Sequence, residues 1–218
     1  MPSSNRGLAR LLFDNVRGIR GVGKGMKRVC VFCGSNDGLR PVYAAAARAM
    51  GRALAERNLG LVYGGGCVGL MGTIADAVLE RRGQVLGVIP QALVERELAQ
   101  HSVTELIIVQ SMHERKAKMA ASADAFIAMP GGYGTLEEFC EIITWAQLGL
   151  HRKPCGLLNV DGYYDPLLEL FDRAVGEGFL QPINRQLVLQ ETQPDRLLDL
   201  LENYVSPVTA QWIGRDES

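Results

Sequence analysis

A glycine-rich stretch at residues 130–138 carries the residue types that bind anions. It reads PGGYGTLEE, and the apolar run at residues 125–129 before it has the length of a buried strand. The proline ends that strand because it has no N–H to donate, and the glycines let a ligand approach the backbone closely. Thr135 offers an N-cap hydroxyl to a helix, whose first N–H groups and positive dipole end attract anions. The pattern predicts a phosphate site with two carboxylates, Glu137 and Glu138, beside it.

A second glycine turn lies upstream, at residues 64–69. Its letters, GGGCVG, match the G-x-G-x-x-G pattern of dinucleotide-binding turns, which makes a dinucleotide-dependent dehydrogenase one hypothesis. That fingerprint also requires an acid about 20 residues further on, at the end of the next strand. Residues 88–91 at that place read VIPQ, without an acid. The missing carboxylate argues against a dinucleotide site.

The charged residues near these turns also have structural explanations. Arg115 and Lys116 stand side by side where a predicted strand passes into a helix. That place suits cations facing phosphate or ribose oxygens, but it equally suits a solvated helix surface. The stretch from Thr135 to Glu138 is T-x-x-E, the capping box, in which the glutamate bonds back to the N-cap N–H. Spacing alone does not separate a catalytic Glu138 from a structural one.

Strands and helices alternate along most of the chain, which predicts an α/β fold. The predicted strands are residues 27–32, 59–63, 85–89, 105–109, 125–129, 154–158 and 186–189; the helices are 41–57, 68–81, 111 to beyond 116, 135–148, 166–175 and 194–204. The strands are apolar on both faces, which is typical of a parallel sheet covered by helices on each side. In such sheets ligands bind beyond the carboxyl ends of the strands, where the turns after strands one, two, four and five meet.

Composition and charge limit the classes of function. With 218 residues, of which 47% are hydrophobic and 22% charged, the chain suits one α/β domain with a full core. A net charge of -1 argues against a nucleic-acid surface. No apolar run approaches the roughly 20 residues that span a bilayer. Five cysteines without secreted-scaffold spacing favour a reducing, cytoplasmic compartment.

Cys30 and Cys33 spell C-x-x-C within a predicted strand, where they point to opposite faces, so core cysteines are preferred to a metal or redox site.

Taken together, the motifs resemble those of the Lonely Guy (LOG) family. Residues 130–138 resemble its PGGxGTxxE motif and residues 112–116 (MHERK) its second motif, with GGG at 64–66 and GLMG at 69–72 upstream. The similarity extends from about Lys27 to Tyr204. It implies one domain, residues 26–205, with a Rossmann-like, doubly wound parallel sheet and helices on both faces, usually as a homodimer.

The same resemblance implies an enzyme. Family members hydrolyse the N-glycosidic bond of cytokinin riboside 5′-monophosphates, and AMP is a further candidate substrate; the products are the free base and ribose 5-phosphate. No metal or cofactor is implied. Members often carry the label "lysine decarboxylase", but no pyridoxal-phosphate lysine context is visible. A non-catalytic nucleotide-binding or carrier protein on the same scaffold is the alternative.

Individual roles follow from the resemblance and from the turn positions. The resemblance implies that Arg115 and Glu138 are the catalytic pair. It implies nucleotide contacts at Glu97, Lys116, Gly131, Gly132, Tyr133, Gly134, Thr135, Leu136, Glu137 and Thr144, and the turns add Ser35, Gly65, Gly66 and Met112. Ribosyl bond cleavage develops positive charge on the sugar, which a fixed carboxylate stabilises, or the carboxylate activates water. Arg115 would orient the nucleotide and balance charge at the phosphate or the departing base.

Both ends of the chain lie outside the resemblance. Residues 1–25 hold five basic residues against a single acid, Asp14. We expect a flexible extension there, although an Arg-rich, acid-poor segment is also compatible with a transit peptide. Met26 is an alternative start. Residues 206–218 are expected to form a C-terminal tail.

Overall fold

The computed structural model describes residues 25–94, 99–100 and 102–207 and shows the predicted α/β architecture. Nearly all of the predicted N-terminal extension, most of the predicted tail and Glu97 lie outside the described residues. The strands are β1 (Arg28–Phe32), β2 (Gly60–Tyr63), β3 (Val85–Pro90), β4 (Glu105–Val109), β5 (Ala125–Ala128), β6 (Cys155–Leu158) and β7 (Val188–Glu191). The helices are α1 (Pro41–Glu56), α2 (Gly69–Leu79), α3 (Met112–Ser122), α4 (Tyr133–Gln147), α5 (Asp165–Gly176), α6 (Pro182–Arg185) and α7 (Pro194–Glu202), with short 3₁₀ helices at Gln91–Leu93 and Val160–Gly162.

All seven strands join one parallel sheet in the order β4-β3-β2-β1-β5-β6-β7. The chain builds outward from β1 to β4 on one side and then returns to place β5, β6 and β7 on the other. The direction of winding therefore changes between β1 and β5. The loops that leave these two neighbouring strands diverge to opposite faces of the sheet, and the crevice between them is the expected ligand site.

Helices cover both faces of the sheet, as predicted. One apolar cluster joins the sheet to α1, α2 and α7, and the other joins it to α3, α4 and α5. Along β1 the side chains alternate between the clusters, so Cys30 lies in one and Cys33 in the other. The prediction that these two thiols point apart is confirmed. All five cysteines are free.

The predicted strands and helices are present, with ends that differ by up to two residues. The prediction misses α6 and both 3₁₀ helices, because segments of three or four residues leave no periodic pattern. Among the helices of the described residues, none is long and apolar enough to cross a membrane. Within the same residues, no group of three His, Cys, Asp or Glu side chains is placed to hold a metal ion.

Candidate active site

A cavity of about 510 Å³ opens where the loops after β1 and β5 diverge. Its volume lies within the range of about 300–1,000 Å³ typical of small-molecule sites. Ten of the sequence-predicted residues line it: Ser35, Met112, Arg115, Gly131, Gly132, Tyr133, Gly134, Thr135, Glu137 and Glu138. The carboxyl ends of the strands therefore bring the two predicted catalytic residues to one cavity, although they come from different helices.

The N-terminus of α4 forms one wall of the cavity. Helix α4 begins at Tyr133, and its N-cap is Gly132, whose extended backbone receives no side-chain capping bond. The prediction that Thr135 caps the helix is wrong. Thr135 lies in the first turn, only 4% exposed, against Gly131, where an added Cβ would lie 2.1 Å from Thr135 Oγ1. The first N–H groups of α4 have no partner within the helix, so this wall suits an anion.

Glu138 lies in the second turn of α4, six positions after the N-cap. A capping box needs its glutamate three positions after the N-cap, so that structural explanation of Glu138 does not apply. The pattern is instead found on α3. There Ser111 Oγ accepts from Glu114 N at 3.1 Å, and Glu114 Oε2 accepts from Gln110 N at 2.8 Å. The half-buried Glu138 carboxylate faces the cavity.

Arg115 is a buried cation, 5% exposed, held by backbone carbonyls. Its Nε donates to Val88 O at 3.1 Å, and its Nη2 donates to Gly64 O at 2.9 Å. A Cβ added to Gly64 would lie 2.1 Å from Nη2, so the absence of a side chain at Gly64 makes room for the guanidinium. The turn after β2 thus fixes the position of Arg115.

Arg115 and Glu138 both influence the pKa of a thiol on β1. Burial raises the pKa of Cys30; the negative charge of Glu138 raises it further, and the positive charge of Arg115 lowers it. Burial and then Glu138 also raise the pKa of Cys33, which lines the cavity. Both charged side chains are therefore near enough to β1 to influence its thiols.

Lys116 is not among the residues that line the cavity, and it joins α3 to α4. Its Nζ donates to Glu137 Oε1 at 2.6 Å and to Glu141 Oε1 at 3.0 Å. Burial lowers the pKa of Lys116, but the hydrogen bonds and charges of these two carboxylates outweigh it and raise the pKa above its ordinary value. The adjacent cations Arg115 and Lys116 consequently have different surroundings.

Other predicted site residues also lie outside the lining of this cavity. Gly65 accepts from Gln100 N at 3.0 Å, and Gly66 pairs with Ala99. Leu136 packs on the core cluster of α3, α4 and α5. Thr144 is exposed on α4, and its hydroxyl donates to Cys140 O at 2.7 Å.

Sequence reasoning missed several residues of the cavity wall. They are Cys33, Asn36, Asp37, Gly38, Tyr43, Leu70, Met71, Leu93, Pro130 and Tyr163. Tyr43 and Tyr163 meet edge to face, with ring centroids 5.7 Å apart. The sequence feature that could have identified them is their position, because most of these residues follow strands whose carboxyl ends meet at this edge of the sheet. The apolar and aromatic members of this set resemble core residues by type alone.

Comparison with known proteins identifies the family. The family model described as "Possible lysine decarboxylase" matches residues 71–201. The cytokinin riboside 5′-monophosphate phosphoribohydrolase LOG7 of Arabidopsis thaliana is 55% identical over 178 residues, 82% of this chain and 82% of that one. The probable cytokinin riboside 5′-monophosphate phosphoribohydrolase LOGL1 of Oryza sativa subsp. japonica is 57% identical over 177 residues, 81% of this chain and 79% of that one.

Solved structures support the fold. The molybdenum cofactor binding protein from the phototrophic bacterium Rippkaea orientalis superposes with a TM-score of 0.61 at 21% identity, over 82% of this chain and 96% of that one. The molybdenum cofactor carrier protein from Chlamydomonas reinhardtii gives 0.60 at 19% identity, over 80% and 95%. Identities this low speak to the fold alone. The plant relatives, by contrast, share more than half of their aligned residues with this chain, which therefore belongs to the LOG family of cytokinin riboside 5′-monophosphate phosphoribohydrolases.

Proposed function

We propose that this chain hydrolyses the N-glycosidic bond of cytokinin riboside 5′-monophosphates and of AMP, releasing the free base and ribose 5-phosphate. One observation carries the proposal: Arg115 and Glu138 line the same cavity as the N-terminus of α4. The relatives' names support the same substrate class. This reaction requires a phosphate-binding site, a cation and a carboxylate around one cavity.

The 5′-phosphate binds at the glycine turn and the first N–H groups of α4. Gly132 and Gly134 leave open space where a Cβ would stand, so a phosphate reaches the backbone there. The helix dipole favours the negative charge. Because the phosphate is remote from the bond that breaks, its binding energy positions the ribose for reaction.

Glu138 acts at the sugar. As the bond between C1′ and the base nitrogen breaks, its electron pair leaves with the base and positive charge develops on the ribose. The carboxylate stabilises that charge and accepts a proton from the water that adds to C1′; the departing base gains a proton in the balanced reaction. Arg115, fixed by two carbonyls, orients the nucleotide and balances charge at the phosphate or the base. Water is the only co-reactant.

The same proposal includes the oligomeric state and the predicted nucleotide contacts that lie outside the cavity. We infer a cytoplasmic homodimer, which light scattering of the purified chain tests. Thr144 lies exposed outside the cavity, so a contact with nucleotide from Thr144 requires the cavity of a second copy. Glu97, Gly65, Gly66, Lys116 and Leu136 are kept as proposed contacts or supports of the nucleotide.

The substitution Glu138→Gln tests the catalytic assignment. The amide keeps the size of the side chain and removes its charge. Because the amide keeps the shape of the side chain, we expect the protein to stay folded and to retain AMP binding. We expect kcat to fall by about 10²- to 10⁴-fold, the usual range for loss of a general base or a charge-stabilising group. Chromatography of the released base from AMP and from isopentenyladenosine monophosphate gives the rate and the substrate preference.

Glu141→Gln is the matched control. Glu141 lies one turn further along α4, bonds Lys116 and does not line the cavity, so this variant should keep wild-type kcat. A Glu138→Gln variant that hydrolyses at the wild-type rate would show the catalytic assignment to be wrong. If the wild-type protein binds both nucleotides but releases no base from either, the chain is a carrier and not a hydrolase.

A further inference from the structure

The glycine turn before α4 has its carbonyl oxygens tied to other groups of the protein. Four consecutive carbonyls accept hydrogen bonds, with these donors: Tyr164 Oη to Met129 O at 2.6 Å, Gly34 N to Pro130 O at 3.0 Å, Tyr163 Oη to Gly131 O at 2.6 Å and Leu136 N to Gly132 O at 3.2 Å. A carbonyl oxygen that faced a phosphate would repel it. With all four carbonyls engaged, the turn is set to offer N–H groups to an anion.

The bond from Tyr163 has a particular consequence, because it restrains a peptide between two glycines. The carbonyl of Gly131 and the N–H of Gly132 belong to one planar, trans peptide and point in opposite directions. Without Cβ atoms on either side, this peptide can rotate at low cost. Rotation would replace the Gly132 N–H with the Gly131 oxygen. The hydroxyl of Tyr163 opposes that rotation by holding the oxygen.

Tyr163 is itself fixed by ring contacts that do not involve its hydroxyl. Its ring meets Tyr43 edge to face at 5.7 Å and Tyr164 at 5.1 Å. The 3₁₀ helix before it is joined to the loop after β1 by the ion pair of Arg40 and Asp161. The side chain is 41% exposed, so removal of the hydroxyl alone should leave the ring and the fold in place.

We propose that Tyr163 is a positioning residue for the phosphate: its hydroxyl holds the Gly131–Gly132 peptide so that the glycine turn presents only donors to the anion. The inference rests on the proposed function, since it assumes that the turn binds the 5′-phosphate of a nucleotide. It adds to that proposal a residue outside both family motifs, from the loop after β6. It also separates phosphate binding from the bond cleavage assigned to Arg115 and Glu138.

The test compares Tyr163→Phe with the wild-type protein, using ribose 5-phosphate as the probe. One neutral hydrogen bond corresponds to about a 3- to 10-fold change in affinity. Calorimetry should therefore show ribose 5-phosphate binding weakened by that factor in Tyr163→Phe. With AMP as substrate, KM should rise by a similar factor while kcat stays within about twofold. The affinity for adenosine, which lacks the phosphate, should stay unchanged.

Tyr204→Phe, which removes a hydroxyl from a tyrosine that does not line the cavity, should behave like the wild type in every assay. The positioning role is refuted if Tyr163→Phe binds ribose 5-phosphate with wild-type affinity, or if adenosine binding weakens equally. It is also refuted if the wild-type protein does not bind ribose 5-phosphate. Binding that weakens in Tyr163→Phe, in a protein that hydrolyses no nucleotide, would support the positioning role and reject the hydrolase.

Discussion

Gly64→Ala should disable the enzyme by displacing Arg115. The new Cβ would lie 2.1 Å from Arg115 Nη2 and 3.2 Å from its Cζ. The backbone of Gly64 is not among the glycines with positive φ, so alanine can adopt its conformation. The atom that must yield is the end of a flexible side chain, and Arg115 therefore moves while the strand stays.

The size of the displacement sets the size of the effect. An ordinary Cβ contact is about 3.4 Å, so the guanidinium must withdraw by roughly 3.4 − 2.1 = 1.3 Å. That movement breaks the 2.9 Å bond to Gly64 O. A misplacement of about 1 Å typically costs about 10²-fold in rate, which corresponds to about 2.7 kcal/mol of transition-state stabilisation. Loss of one hydrogen bond to a charged group lowers the free energy of unfolding by about 1.5–3 kcal/mol, which should leave the protein folded.

Steady-state kinetics with AMP, below the melting temperature of the variant, measure the effect. Gly60→Ala is the matched control, since it places a methyl at the other end of β2, 3.2 Å from Arg28 Cγ and far from the cavity. It should keep wild-type kcat/KM. A folded Gly64→Ala protein with kcat/KM within threefold of the wild type would refute the claim that the position of Arg115 controls the reaction.

Two further predictions concern buried polar groups. The hydroxyl of Tyr63 is buried without a hydrogen-bond partner among the described residues. Tyr63→Phe should therefore leave the free energy of unfolding unchanged or raise it by about 1–2 kcal/mol. A decrease of more than about 1 kcal/mol in urea unfolding would contradict this prediction. Burial lowers the pKa of His151 below its ordinary value of 6.5. As the pH drops below about 6.5, the unfolded chain therefore binds a proton at His151 before the folded protein does, and the free energy of unfolding should decrease. His151→Gln keeps a donor for Ile142 O and an acceptor for Lys153 N. This variant should lose less free energy of unfolding than the wild-type protein between pH 7.5 and 5.5. An equal loss in the two proteins would exclude His151 as the cause.

The fold was predictable because its signals are local. Apolar runs of strand length alternate with helical spacing, and glycine or proline marks most of the ends. The parallel arrangement follows, since strands that are apolar on both faces need helices on each side. The order of the strands was not readable from any pattern. It depends on which side of β1 each new strand joins, and that choice is made by packing between distant segments.

The site was only partly predictable, because a local pattern does not show every partner that a residue meets in the fold. Residues 64–66 look like a ligand turn, and the carbonyl of Gly64 also accepts a hydrogen bond from a side chain that comes 51 residues later, Arg115. Thr135 is a common N-cap type, yet the extended backbone of Gly132 begins the helix two residues earlier and leaves Thr135 buried. For Arg115 the deciding contact, with the carbonyl of Gly64, is tertiary. A local rule for glycines or caps has no access to it.

Adjacent charged residues of the two motifs, on α3 and α4, have different partners. Successive residues on a helix point about 100° apart, so neighbouring side chains can meet different partners. Arg115 and Glu138 line the cavity; Glu137 lines it as well, and its carboxylate accepts a hydrogen bond from Lys116 at 2.6 Å between the two helices. That bond joins the residue after one catalytic candidate to the residue before the other. The distance between the helices that carry Arg115 and Glu138 is therefore restrained directly beside these two residues.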